Sequence, residues 1–513
     1  MGKSANLPRM IVPNFAVTDK VQTLALATVF PGAERVDGPT EERGFLGLLH
    51  RSAGSPGHSL LLAALVPQEP GWVVSGYDGL TFSHRYFSRG LDIASKDGQA
   101  TGLMVVHSHY GPRGEVPLPP SPSHADLRAE REQLYFLSQA LGRGAPVAAG
   151  ILAPSGGWRV REYAWPRPST PRQAKSRRYR PSGGTCVDIE RIKVVGSGRV
   201  RLQVRSETPP VSNSALESTL RLWGEGGQRI LSQLRIGVVG VGGVGSIVVE
   251  YLARLGVGEL VLVDFDCLEP ANLNRAIGAR RRDVGRPKVE YVSRLARESS
   301  LLRNFRVEAY RESAAEWSGF RHLLNCDIIV SSADSASSRQ VLDHAAYAHL
   351  LPVVDGGTVF IVDAATGKIS GKSQVSEAGP GRPCLECQGV YSREEATLAR
   401  ESVAMQAPNP YVLGPDGRAT DLPRAPSVVS HNGLVASLIV QRVLRLALGT
   451  PPDKGVGQQR FYVEEGEVHW TRVDACDGAC PKGSWVALGD SHAAPVGIDP
   501  IWKCLREREE AAP

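Results

Sequence analysis

The sequence predicts an α/β architecture in both halves of the chain, with a doubly wound parallel sheet in the C-terminal half. Three observations lead there. The length of 513 residues exceeds one ordinary domain, so two or three are expected. Short apolar runs alternate with segments of helical apolar spacing from residue 10 to 165 and again from about 216. A strand at Arg235–Val239 runs straight into a glycine-dense turn and an apolar helix, the opening unit of a parallel sheet.

In the N-terminal zone, Leu60–Val66 and Gly102–Val106 read as buried strands, and Phe82–Ala94 carries apolar residues at helical spacing. His124–Leu141 reads as an amphipathic helix with Asp126 in its first turn. Residues 166–213 are rich in Pro, Arg, Ser and Gly and read as a linker, with a hairpin of Val187–Val194 and Arg199–Val204 around Gly196–Gly198. Beyond it, Glu259–Asp264, Asp327–Ser331 and Leu351–Asp355 continue the strand pattern. The expected division is 10–165, linker 166–213, 214–490, and a tail 491–513 whose last dozen residues, charged and then Ala-Ala-Pro, fray.

Composition narrows the class. A formal net charge of +6 is mild for this length, and the dense basic run Arg172–Arg180 falls in the linker, so no nucleic acid is expected as partner. The sequence has no secretory pattern after Met1 and no run of about 18 apolar residues, so a cytoplasmic protein without membrane contact is expected. Eight cysteines in that compartment are not a disulfide framework. Two close pairs, Cys384/Cys387 and Cys476/Cys480, each suit one side of a tetrahedral thiolate zinc.

Val105-Val106-His107-Ser108-His109 ends an apolar strand with two histidines on one face. Ser123 and Asp126 then open a helix, so Asp126 can complete a catalytic zinc site of two His, one Asp and a water. Glu41, with Glu42 as the fallback, precedes a strand and can take the proton of a metal-activated water. Glu-x-x-Gly, His-Ser-His and Ser-x-x-Asp in this order resemble the JAMM (JAB/MPN) metallopeptidase family over most of residues 10–165. The resemblance implies a cytidine-deaminase-like α/β fold, His107, His109 and Asp126 on zinc, Glu41 as general base and Ser123 supporting the tetrahedral intermediate. Tyr110 stands where the family usually has Pro, and the stretch from His109 to Ser123 is longer than usual.

Gly240, Gly242, Gly243 and Gly245 form the turn after the first C-terminal strand, where backbone can approach a phosphate. Asp264 and Asp266 end the next strand, at the place of a ribose. Asn272, Arg275 and Lys288 follow. Hydride transfer has no need of these cations, whereas adenylyl transfer must stabilise charge on the α-phosphate and on departing pyrophosphate. Asp334 offers an oxygen to magnesium. The order Gly-x-Gly-Gly-x-Gly, Asp-x-Asp, Asn-Leu-x-Arg, Lys and a late Asp resembles the ThiF/MoeB adenylyltransferase family, from Trp223 to about residue 450. That resemblance implies a Rossmann-like fold and ATP with Mg2+. It places Asp264 and Asp266 at the ribose end, Asn272, Arg275 and Lys288 on phosphates, and Asp334 at magnesium or the reaction centre. It also implies the four-cysteine structural zinc, a homodimer, and activation of a ubiquitin-like or sulfur-carrier protein, in some systems for a conjugating enzyme. Departures are Ala276 in place of Gln, Ser335 in place of Asn, and Arg221 as the one candidate for an arginine reaching across a dimer.

Thioester-forming members place a Cys between the two zinc pairs. No Cys lies between Cys387 and Cys476; the expected loop Met405–Val429 offers Ser427, with Ser430 just beyond. Cys186, Cys267, Cys326 and Cys504 remain as other thiols. The expected function is therefore that of a bifunctional enzyme of a bacterial ubiquitin-like system, adenylating a modifier and cleaving the same modifier from a precursor or conjugate. Sulfur-carrier activation for cofactor or cysteine synthesis, and a non-catalytic scaffold for a ubiquitin-like tail, are the alternatives.

Overall fold

The computed structural model describes residues 13–31, 42–55, 57–76, 79–97, 101–108, 121–141, 144–165, 184–205, 214–362, 366–401, 427–449, 457–473 and 475–510. The chain divides into two compact units. The first holds residues 1–194, 202–206 and 487–492, and the second holds 195–201, 207–486 and 493–513. Glu41, His109, Tyr110, Arg172–Arg180 and most of the loop 405–429 lie outside the described residues.

The strands of the first unit are β1 (Asn14–Thr18), β2 (Gly44–Ser52), β3 (Ser59–Leu65), β4 (Val73–Gly76), β5 (Gly79–Phe82), β6 (Gly102–Ser108), β7 (Val147–Leu152), β8 (Trp158–Ala164), β9 (Thr185–Asp188), β10 (Arg191–Val195) and β11 (Val200–Val204). Nine of them form one sheet in the order β11-β10-β1-β3-β2-β6-β7-β8-β9, and β4 pairs with β5 separately. β6 lies between β2, antiparallel, and β7, parallel, and every one of its residues is buried. That double-sided burial explains its unbroken apolar sequence. Phe45, Leu49, Leu60, Met104, Val106 and Trp158 fill the core on one face of the sheet, and Leu46, Leu103, Val105, Leu134 and Leu137 the core on the other. The latter two come from the helix His124–Ala140, which the spacing had predicted to within a residue. Within the stretch read as linker, the expected hairpin around Gly196–Gly198 is present as β10 and β11, and these two strands, with β9, join this same sheet.

In the second unit the strands are β12 (Arg235–Val239), β13 (Glu259–Val263), β14 (Arg306–Tyr310), β15 (Ile328–Ser331), β16 (Val353–Val362), β17 (Ile369–Ala378), β18 (Gly457–Tyr462) and β19 (Glu467–Arg472). Their order is β14-β13-β12-β15-β16-β17-β18-β19. The first five are parallel and the last three antiparallel. The chain leaves β12 toward β13 on one side and returns to β15 on the other, so strand order reverses at the end of β12. A crevice opens at such a reversal, outside the carboxyl ends of the strands.

One expectation is corrected. The tail does not fray: Pro500–Glu510 is a helix, and Trp502 is 5% exposed. Its anchors, Trp502 on Phe265 and Asp499 on Ser313, are single side chains meeting distant residues, a signal that a periodicity argument does not register.

Candidate functional site

β12 is followed by Gly240 at φ +78° and then by the helix Gly243–Arg254. Gly240 is held by its left-handed backbone and by the carbonyl of Ser332, 2.9 Å from where a Cβ would sit. A Cβ at Gly245 would lie 2.0 Å from the Gly240 carbonyl oxygen, so the turn folds back tightly on the helix start. A Cβ at Gly242, by contrast, would meet open space, leaving the helix N-terminus free to face an anion.

Asp264 ties this turn to the next strand. Its Oδ2 accepts from the Val241 N–H at 2.8 Å, and its Oδ1 from the Asp266 N–H at 2.8 Å. Lys288, the first residue of the helix Lys288–Ser299, donates from Nζ to Asp266 Oδ2 at 2.7 Å. Tyr291, one turn on, donates to the Val241 carbonyl at 3.3 Å. Burial raises the Asp264 carboxyl to about 6, against the pull of Lys288. Burial works against the Lys288 ammonium too, but Asp264, Asp266 and Asp334 outweigh it and lift its pKa. Asp334, after β15, is likewise pushed up by burial, with Asp266 adding and Lys288 and Arg339 opposing.

These groups line one cavity of about 550 Å³. Gly240, Gly242, Asp264, Asp266, Lys288 and Asp334 all border it. Gly243 and Gly245 stand just behind it at the helix start. Asn272 and Arg275 are not among its lining residues. The Asn272 side chain accepts from the Glu269 N–H at 3.0 Å, closing a short helical turn, and Arg275 donates from Nη1 to the Ala271 carbonyl at 2.6 Å. The Arg275 stem nevertheless runs beside the glycine turn, its Cδ 3.4 Å from a Cβ built on Gly243. Arg221 pairs with Glu217 on an exposed helix face and is also absent from the lining. Sequence reasoning missed Arg339, which lines the cavity and donates from Nε to the buried Asp355 at 3.2 Å. Its position five residues after Asp334, one turn into the helix Ala336–Ala348, was the available signal. Glu312, Asp499 and Ile501 were missed as well.

The four cysteines of the two pairs come together with all ligand atoms within 4.8 Å of one another. Cys384 and Cys480 sulfurs are 3.8 Å apart, the separation of two thiolates about 2.3 Å from a shared tetrahedral ion. Lys482, just past the second pair, pins this corner: its Nζ meets Asp343 at 2.7 Å and Glu386 at 2.8 Å. Asp343 in turn accepts from the Leu385 N–H at 3.0 Å, beside Cys384. Of the other thiols, Cys326 is buried, Cys267 accepts from Arg311 Nη2 at 3.3 Å, and Cys504 is half-buried. Cys186 is exposed as a residue, yet partial burial of its sulfur pushes the thiol pKa up, away from thiolate reactivity.

In the first unit, His107 stands at the end of β6 and its Nε2 is 3.7 Å from Asp126 Oδ1. Ser123 caps the helix His124–Ala140. Its N–H donates to Asp126 Oδ2 at 2.6 Å and its Oγ accepts from the Asp126 N–H at 3.0 Å. Reciprocal capping therefore fixes Asp126 facing His107.

A doubly wound parallel sheet with a glycine turn at its switch point and a lysine among carboxylates is an arrangement in which a helix N-terminus is open to phosphate. Residues 215–481, just over half of the chain, match the profile of the ThiF family, and the chain belongs to that family. The SAMP-activating enzyme E1 of Haloferax volcanii is 33% identical over 174 residues, 34% of this chain and 60% of that protein. Molybdopterin-synthase adenylyltransferase of Salmonella typhimurium is 29% identical over 212 residues, 41% of this chain and 79% of the relative. Ubiquitin-like modifier-activating enzyme 5 of Rattus norvegicus is 27% identical over 269 residues, 49% and 59% of the two chains. The chain thus spans about three fifths of the first and third of these relatives.

Proposed function

We propose that the ThiF-family part of the chain adenylates the C-terminal carboxylate of a ubiquitin-like or sulfur-carrier protein. The convergence of Gly240, Gly242, Asp264, Asp266, Lys288 and Asp334 on one cavity at the strand ends carries this reading. ATP, held there with Mg2+, supplies the electrophilic α-phosphorus and pyrophosphate as leaving group. The open backbone at Gly242 receives phosphate. Asp264, already oriented by two N–H groups, takes the ribose side. Lys288 places a fixed positive charge where phosphate charge grows, which is worth most in a partly enclosed site. Asp266 flanks the same ribose end, and Asp334 offers a hard oxygen to magnesium. The relatives' names, an activating enzyme and an adenylyltransferase, support the same chemistry. A structural zinc on Cys384, Cys387, Cys476 and Cys480 and a homodimer belong to the proposal.

For the N-terminal unit we propose a zinc metallopeptidase of the JAMM type, acting on the same modifier as a processing or deconjugating enzyme. The 3.7 Å approach of His107 to Asp126 supports it, since two ligands about 2.1 Å from one tetrahedral zinc sit about 3.4 Å apart. His109 would be the third ligand and Glu41 the general base. Zinc there would supply a water acidified enough to attack an amide. A sulfur-carrier route is the second reading. It is favoured by the absence of any Cys between Cys387 and Cys476, because a sulfur donor can attack the acyl-adenylate without an enzyme thioester.

The direct test is mass spectrometry of a candidate modifier after incubation with the full chain and Mg-ATP. Adenylated C-terminus is expected with wild type, and at least about 100-fold less with Asp334→Asn. A modifier that stays unmodified while others of its class are also refused overturns the activating reading.

A further inference from the structure

The nucleotide cavity has a wall that the family match does not contain. All of its lining residues fall within 215–481 except two, Asp499 and Ile501. Both belong to the C-terminal segment that precedes and opens the helix Pro500–Glu510.

That segment is anchored by its own chemistry. Asp499 is 6% exposed. Its Oδ2 accepts from Ser313 Oγ at 2.6 Å, and its N–H donates to Glu316 Oε1 at 3.0 Å. Oδ1 caps the helix by accepting from the N–H groups of Ile501 and Trp502 at 3.1 and 3.2 Å. Trp502 stacks on Phe265 with centroids 5.6 Å apart, and the guanidinium groups of Arg311 and Arg506 lie 5.4 and 5.3 Å from its ring. Arg311 holds the other side by donating to the Phe265 carbonyl at 3.2 Å. Phe265 sits between Asp264 and Asp266, so the anchor grips the cavity at its ribose end.

The two ends of the cavity differ in polarity. The glycine turn and Lys288 present N–H groups and an ammonium. Beyond the ribose end the lining is apolar at Val263, Ala314 and Ile501, with Glu312 beside them and both Asp499 oxygens engaged by Ser313 and the helix N–H groups. The open N–H groups of the glycine turn suit phosphate. A flat, uncharged base fits the second end.

We propose that the segment Asp499–Trp502 is the base-side wall of the nucleotide pocket, with Ile501 packing against the purine while Asp499 and Trp502 hold it in place. This rests on reading the cavity as an ATP site. Nucleotide affinity then depends on a stretch outside the ThiF-matched residues, and the dependence is on the base, not on the phosphates.

Calorimetry on the full chain in the presence of Mg2+, with ATP and with tripolyphosphate as a probe lacking base and ribose, tests it. Ile501→Asp is expected to weaken ATP roughly tenfold and to leave tripolyphosphate unchanged, because it sets a charge against the base and spares the phosphate end. Trp502→Ala is expected to act the same way by loosening the anchor. Ile498→Asp, at a 63% exposed position in the same segment, is expected to change neither. ATP binding within twofold of wild type in Ile501→Asp and Trp502→Ala overturns the wall, as does equal loss of ATP and tripolyphosphate. Should Trp502→Ala fail to fold, Ile501→Asp decides alone. A wild-type chain that binds no ATP overturns the nucleotide reading itself, an outcome distinct from a wall that fails.

Discussion

The glycine-turn cavity of the second unit and the His107–Asp126 corner of the first begin alike. Each lies where a fully buried strand, β12 or β6, delivers its last residues toward a helix start. They differ in how the chemistry is assembled. Around the cavity, groups from the ends of β12, β13 and β15 and from the helix Lys288–Ser299 converge because the parallel sheet aligns its carboxyl ends. At the corner, a single strand faces a single helix, and Asp126 is aimed by the cap it forms with Ser123. The first arrangement is distributed over several elements of the sheet. The second hangs on one local motif.

That contrast can be broken or sharpened. The largest effect is expected at the corner. His107→Ala should abolish isopeptidase activity and remove one of two zinc ions per chain, read by metal analysis, while leaving ATP-dependent activity within about twofold. Two zinc ions retained by His107→Ala would show that the corner is not a metal site. Next comes the pin beneath the thiolate corner. Lys482→Met leaves the fully buried Asp343 without its cation and should cost about 3–5 kcal/mol of stability in denaturant titration. A loss under about 1 kcal/mol would mean that the Leu385 N–H and Tyr391 hydroxyl suffice to hold Asp343.

The smallest effect is a pH limb. Burial raises Asp264 from its ordinary 3.8 to about 6, so this carboxyl favours the folded state most below 3.8, and that contribution is lost as pH rises through about 6. Activity runs the other way, since the ionised form holds the Val241 N–H and neighbours Lys288. Adenylation is expected to fall as pH drops through about 6, by less than tenfold down to pH 5. In Asp264→Asn this limb should vanish on a lower plateau. An unchanged limb would assign the titration elsewhere.

Much of the distributed site was legible because its residues recur at strand ends, where spacing and chemistry coincide. Gly240 through Lys288 and Asp334 could be placed before any contact was known. Arg275 and Asn272 were named with them; neither borders the cavity here, Arg275 Nη1 bonding the Ala271 carbonyl and Asn272 Oδ1 accepting from the Glu269 N–H. Spacing identifies a neighbourhood and does not say which way a side chain turns. Asp499 and Ile501 were illegible for another reason. They reach the cavity through tertiary docking of a short helix on Phe265 and Ser313, and no local pattern encodes a contact more than 180 residues distant. The hairpin at 191–204 was legible from its turn at Gly196–Gly198, but that β9, β10 and β11 extend the N-terminal sheet was not, because sheet membership is set by pairing with strands far away in sequence. Ser123 and Asp126, a capping box in sequence, carried their geometry openly.

ATP–pyrophosphate exchange, with the full chain and a candidate modifier, is the measurement that bears most directly on the adenylation claim. Modifier-dependent exchange is predicted for wild type, with a fall of about 100- to 1,000-fold in Lys288→Ala. Exchange that is absent from wild type, or that survives unchanged in Lys288→Ala, would contradict it.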